Sequence, residues 1–159
     1  MSDEYFYPAR KVGHVGTAEL WIGSAADAAS APWLRQHRIG LVVNCTRHLP
    51  ANAAGIRTVR VPVDDAPDEC PAMLRYLPRA VRAIDAALSS GTNVLVHCHA
   101  GMSRSATVVA AYLTKRTCLP LRVVVSEIQG RKPETFPVVQ GSRPNFWPAL
   151  LQWQKKLPC

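Results

Sequence analysis

Long apolar runs are missing from this chain: none of its 159 residues lies in a stretch approaching the roughly eighteen apolar residues that a membrane span needs. The N-terminal stretch Met1 to Lys11 contains Asp3 and Glu4 and no apolar core segment, which argues against a secretory signal and against a mitochondrial presequence. A cytoplasmic location is expected, with the nucleus open. Paired CxxC spacing is also absent. The five cysteines, Cys45, Cys70, Cys98, Cys118 and Cys159, are odd in number and widely scattered, so the reading is a reducing compartment, with neither a disulfide framework nor a zinc site. His14, His37 and His48 show no metal-ligand spacing, and neither a metal nor another cofactor is expected. Acidic residues are few, 11 against 19 basic ones. The resulting formal charge of +8 attracts phosphorylated or otherwise acidic partners over about a Debye length. The basic residues come in pairs such as Arg10-Lys11, Lys115-Arg116, Arg131-Lys132 and Lys155-Lys156, without a long run or an interleaved aromatic platform. A solvated basic surface is therefore expected rather than a nucleic-acid site, and no oligomeric state is implied.

The chain has the length of one compact domain over residues 1–159, with 1–12 as an N-terminal extension, and its 48% hydrophobic residues can fill one core. Strand and helix signals alternate along it. Glu19 to Gly23 reads as a short strand, and Ser24 can cap the alanine-rich segment that follows. Pro32 restarts a helical turn through Gln36, and Ile39 to Asn44 is a continuous apolar run suited to a strand buried on both faces. Thr58 to Val63 is a further strand ending near Pro62. Pro71 to Leu88 places Leu74, Leu77, Val81, Ile84 and Leu88 at helical spacing. After a strand over Asn93 to His97 come helices over Ser103 to Lys115 and Leu121 to Gln129, the latter stopped by Gly130. A loop over Arg131 to Arg143 and a closing helix over Pro144 to Lys156 complete the chain. Strands separated by helices predict an α/β fold with a mostly parallel central sheet flanked by helices on both faces.

The most informative segment is Val94 to Ser105, Val-Leu-Val-His-Cys-His-Ala-Gly-Met-Ser-Arg-Ser: a buried strand, then a cysteine, a loop of small residues, an arginine and a helix. A tight loop at a helix N-terminus offers backbone N–H groups that have no intrahelical partner, and such a nest attracts an anion. Arg104 adds a guanidinium that matches phosphate oxygens bidentately. Cys98 then lies on the cradle's floor, where the helix N-terminus and the cation favour the thiolate, the form able to attack phosphorus. The plain alternative is a buried structural thiol. His-Cys-x-x-Gly-x-x-Arg-Ser resembles the signature of the protein tyrosine phosphatase superfamily, and the Ala-Gly pair with the serine after the arginine is similar to its small dual-specificity branch. Looser matches follow in family order: Leu20 to Ser24 with Asp27-Ala28, Val42 to Thr46, and Val61-Pro62-Val63-Asp64-Asp65.

The chemistry also needs a proton donor, because an alkoxide or phenolate leaves poorly unless protonated. The upstream acidic cluster is Asp64, Asp65, Asp68 and Glu69, and the resemblance selects Asp65 as the general acid, ahead of Asp64 and then Asp68. The competing reading makes the cluster a solvated turn before the helix near Pro71. The implied mechanism has two displacements. Cys98 attacks a phosphate held by Arg104 and by the loop of His99, Ala100, Gly101, Met102 and Ser103; water then cleaves the cysteinyl-phosphate with Asp65 as base. Ser105 can stabilise the departing thiolate, or be an ordinary hydroxyl in the first helical turn. His97 is expected to support the loop through a buried hydrogen bond and His99 to line the rim. Cys45 ends a strand expected beside the one ending at His97. Its sulfur could reach Cys98 and form a reversible disulfide, as some phosphatases of this superfamily do, or simply be a small buried residue.

The resemblance implies a phosphoprotein phosphatase acting on phosphotyrosine and on phosphoserine or phosphothreonine. A lipid phosphatase is the main rival among enzymes, although His99 and Met102 stand where phosphoinositide enzymes often carry lysine. An RNA triphosphatase ranks lower, since such enzymes usually have asparagine, arginine and threonine at the positions of Ser103, Arg104 and Ser105. A module that binds phosphorylated partners without turnover is the alternative of another class. One departure stands out: the family's compact Arg-Pro-x-x-x-Pro-Asn is spread here over Arg131-Lys132-Pro133 and Arg143-Pro144-Asn145, an insertion that would form one pocket wall.

Overall fold

The computed structural model describes residues 7–138 and 143–159. The expectations for residues 1–6, including Asp3 and Glu4, and for the middle of the 131–143 loop lie outside the described residues. Five strands form one sheet in the order β1-β2-β5-β3-β4: β1 is Arg10–Val15, β2 Ala18–Gly23, β3 Ile39–Asn44, β4 Thr58–Arg60 and β5 Asn93–His97. All neighbouring pairs are parallel except β1 with β2. The helices are α1 Ala25–Ala28, α2 Ala31–Gln36, α3 Cys70–Ser89, α4 Arg104–Thr117, α5 Leu121–Arg131 and α6 Trp147–Lys156.

Alternation along the central strands divides the core. Val94 and Val96 of β5 join Leu41 and Val43 of β3 in the larger cluster, which α3, α4, α5 and α6 cover. Leu95 and Val42 point the other way, toward Ala28 of α1 and Leu34 of α2. The expected sheet covered on both faces is thus observed, with β3 apolar on both sides as its continuous run implied. Ile39 joins the smaller cluster although its parity matches Leu41, because the register shifts between these two residues.

Several boundaries differ from those expected. Arg10 to Val12, assigned above to an extension, begin an edge strand in which Val12 alone is buried, so an outward-facing polar pattern concealed it. The strand after Thr58 ends at Arg60 rather than Val63. Val61 still donates to Asn44 O at 2.8 Å, but Pro62 has no N–H with which to continue the ladder. Gly130 does not stop α5, which runs on to Arg131. Lys132, extended at φ −142 before Pro133, ends it instead. The last helix starts at Trp147, with Pro148 in its first turn, not at Pro144.

The cysteines require a larger correction. Cys118 and Cys159 form a disulfide across 41 residues, contrary to the expectation of none, while Cys45, Cys70 and Cys98 are free. Cys118 caps α4 in the left-handed region at φ 57, which turns the chain back toward the end of α6. Closing a loop of that length is worth about 4 kcal/mol in the chain-entropy account.

Candidate active site

β5 leads into the loop 98–103 and then α4, so the loop sits at the carboxyl end of the central parallel strand, where open α/β sheets place their ligands. Its carbonyls are drawn outward by the surrounding elements. Ala25 N–H donates to His99 O at 2.8 Å, Phe136 N–H to Met102 O at 2.8 Å, and Thr107 donates to Ser103 O through its N–H at 3.0 Å and its hydroxyl at 2.9 Å. Among the described residues, the N–H groups of Ala100 to Ser103 donate to no carbonyl or side chain. A run of free donors with its acceptors tied outside forms a nest, a geometry in which backbone amides can bind an anion. Gly101 makes the turn possible: it holds φ +75, and a Cβ there would lie 2.6 Å from Gly23 O at the end of β2.

Cys98 is 3% exposed, and its sulfur lies 3.3 Å from the hydroxyl of Ser105, itself fully buried in the first turn of α4. Arg104 donates from Nη1 to Val63 O at 3.0 Å, while its buried Nε–H has no partner among the described residues. A buried guanidinium N–H left open beside a nest of amides is a donor held ready for an anion. The Arg104–Val63 bond also ties the Cys98 loop to the acidic loop, two residues before Asp65.

Within that loop the carboxylates separate by their partners. Asp64 pairs with Arg47 Nε at 3.1 Å, and Glu69 bonds both Arg47 and the N–H of Asp64. The Arg47 hydrogen bond, aided by that N–H, holds the Glu69 carboxyl below the usual carboxylate range. Asp68 is exposed, with no bonding partner among the described residues. Asp65 is held by Asn145, whose Nδ2 donates to Asp65 Oδ1 at 3.0 Å and to Asp65 O at 3.3 Å. The sequence reading noted Asn145 only as part of a spread-out motif, and its contact across 80 residues was missed. Met102 is half-buried, His99 is exposed, and Ala100 completes the loop.

His97 bonds Cys98 O through Nδ1 at 3.0 Å, and since a carbonyl only accepts, that nitrogen carries the proton. Burial lowers the imidazole's pKa below its usual value, and Nε2 has no partner among the described residues. His97 therefore holds the backbone behind the sulfur, the supporting part expected of it. Cys45 is wholly buried, and its N–H donates to His97 O at 2.8 Å. Its thiol is pushed well up by burial and then by the charge of Cys98, with Arg104 opposing. Among the described residues, no group of histidines, cysteines and carboxylates is arranged to hold a metal ion.

A cysteine and an arginine on one loop of open backbone amides, with an acidic loop tied to that arginine through Val63, are the features of the cysteine-based phosphatase class. Residues 20–156 match the profile of the dual specificity phosphatase catalytic domain. Dual specificity phosphatase 28 from Homo sapiens is 34% identical over 139 residues, covering 87% of this chain and 75% of the relative. Dual specificity protein phosphatase 12 from Rattus norvegicus is 38% identical over 133 residues, which cover 80% of this chain and 39% of that longer protein. The crystal structure of human DUSP28 superposes with a TM-score of 0.80 at 32% identity, covering 93% of each chain. The chain belongs to the dual specificity phosphatase catalytic-domain family. None of the helices among the described residues is long and apolar enough to cross a membrane.

Proposed function

We propose that this chain hydrolyses phosphate monoesters on proteins, phosphotyrosine together with phosphoserine and phosphothreonine, with Cys98 as nucleophile. The observation that carries this reading is the open nest itself: unbonded amides from Ala100 to Ser103, the unpartnered Arg104 Nε–H, and a thiol beneath them at 3.3 Å from a hydroxyl. Three equatorial phosphoryl oxygens fit the amides and guanidinium, which neutralise charge in place and need no reorganisation during reaction. The thiolate of Cys98 forms an S–P bond as the ester P–O bond breaks, and Asp65 gives its proton to the leaving oxygen. Water then attacks phosphorus, Asp65 takes its proton, and Ser105 donates a hydrogen bond to the sulfur as it departs. His99 and Met102 line the loop and receive the substrate. Family membership and the +8 charge support phosphorylated proteins as substrates.

Turnover of a phosphotyrosine peptide by the wild type and by Cys98→Ser tests the assignment, with a loss of about 10⁴-fold or more expected. Equal turnover by the variant overturns it. Wild type that binds the peptide without hydrolysing it identifies a binding module, and preference for a phosphoinositide identifies a lipid phosphatase.

A further inference from the structure

The exposed flank of α3 carries a row of cations that the catalytic site does not use. Arg75, Arg79 and Arg82 follow at spacings of four and three, all three exposed, which sets them on one face of the helix over about 10 Å of its length. Among the described residues none of the three has an ion pair or hydrogen bond. Among the described residues Lys11 pairs with Glu19, Arg47 with Asp64 and Glu69, Arg116 with Asp85 and Lys132 with Glu134; what sets the α3 arginines apart is that three of them share one helix face. Three like charges stacked along one helix repel one another, and among the described residues no ion pair offsets that repulsion.

Both ends of the row are placed for binding. Its upper end is near the acid loop, because Arg75 lies five residues, about 7 Å of helix, beyond Cys70. The Cys70 thiol donates to Asn145 O at 3.3 Å, and Asn145 is the residue that holds Asp65. Beside the row's lower end, the α3 residues Val81 and Asp85 with Tyr112, Lys115 and Arg116 of α4 line a cleft of about 170 Å³. Tyr112 is 2% exposed, and its buried hydroxyl has no partner among the described residues. The cleft's one carboxylate, Asp85, is 3.7 Å from Arg116, and among the described residues the Lys115 ammonium has no ion pair.

We propose that this flank docks an acidic, extended segment of the phosphoprotein substrate, with its carboxylates on Arg75, Arg79 and Arg82 and the last one directed toward Lys115 and Tyr112. The spacing suits that partner. Arg75 and Arg79 are separated by about 6 Å along the helix and Arg79 and Arg82 by about 4.5 Å, against about 6.6 Å for alternate side chains of an extended strand, a difference that long arginine side chains span by splaying. The proposal rests on the protein phosphatase reading above and adds a specificity surface to it.

The test compares two phosphotyrosine peptides of equal length whose flanking segment carries alternating glutamates or alternating glutamines, with the segment placed on either side of the phosphotyrosine. The wild-type chain is expected to favour the acidic peptide about tenfold in kcat/KM, through KM with kcat unchanged, and to lose the preference in high salt. The triple variant Arg75→Glu, Arg79→Glu, Arg82→Glu is expected to lose or reverse the preference while hydrolysing a small aryl phosphate at the wild-type rate, which also shows that it is folded. Equal kcat/KM for the two peptides in wild type, or a preference that survives in the triple variant, overturns the proposal. Arginine-dependent binding to phosphatidylserine vesicles or to RNA without any peptide preference reassigns the row and likewise overturns it. Absence of aryl phosphate hydrolysis by wild type would instead sink the phosphatase reading.

Discussion

The two loops that meet at the site are built differently. The loop at Cys98 grows out of the central strand, is buried at Cys98, Gly101, Ser103 and Ser105, and has its carbonyls fastened by Ala25, Phe136 and Thr107, which lie outside it. The loop at Asp65 lies on the surface beyond the short β4, with Asp64 and Asp65 both exposed, and it is held by side chains: Arg47, Asn145 and the guanidinium of Arg104. The geometry of Cys98, the proposed nucleophile, is therefore fixed by core packing, whereas that of Asp65, the proposed acid, is fixed by polar contacts that single substitutions remove. On the proposed mechanism, such a site would bind phosphate in a preformed nest and adjust its proton donor separately.

Asp65→Asn separates the two sides most sharply. It should slow a phosphotyrosine peptide by about 10²- to 10⁴-fold while leaving binding of an oxyanion such as vanadate intact, and it should slow an activated aryl phosphate far less, because a good leaving group needs no proton. A uniform loss across leaving groups would mean that Asp65 acts only structurally. Gly101→Ala attacks the other loop. With φ +75 and a Cβ 2.6 Å from Gly23 O, the nest must distort, and calorimetry should show vanadate affinity falling about 10²-fold with activity. Asn145→Ala should lower kcat about tenfold through the loss of two hydrogen bonds to Asp65, with vanadate affinity unchanged. A fall in vanadate affinity here would break the proposed independence of the loops.

The smallest effect is a difference in pH dependence. His97 is depressed by burial below its usual 6.5, so the unfolded chain binds more protons just below that pH, and stability should fall as pH drops from about 6.5 toward the folded value. Glu69 is depressed below its usual 4.5 by Arg47 and by the Asp64 N–H, so its contribution is present above 4.5 and is lost as pH falls through the lower folded value. Chemical denaturation across pH should show the first decline flattened in His97→Gln and the second weakened in Arg47→Ala.

Local signals carried most of what could be read in advance. The segment Val94 to Ser105 specified strand, nest and helix start, because each depends on neighbours in the chain, and β3 was legible from its unbroken apolar run. Features that depend on distant partners were not. Asn145 reaches Asp65 across 80 residues, Arg104 reaches Val63 across 41, and the Cys118–Cys159 link spans 41 with no local mark of pairing. β1 was missed for a related reason: as an edge strand with only Val12 buried, it presents no apolar alternation to read.

Acid quenching of the enzyme during turnover of a phosphotyrosine peptide, followed by mass spectrometry of the peptide that contains Cys98, tests the central claim most directly. The account predicts phosphate bound to the Cys98 sulfur in the wild type and absent in Cys98→Ser. Sustained turnover with phosphate on another residue, or on none, would contradict it.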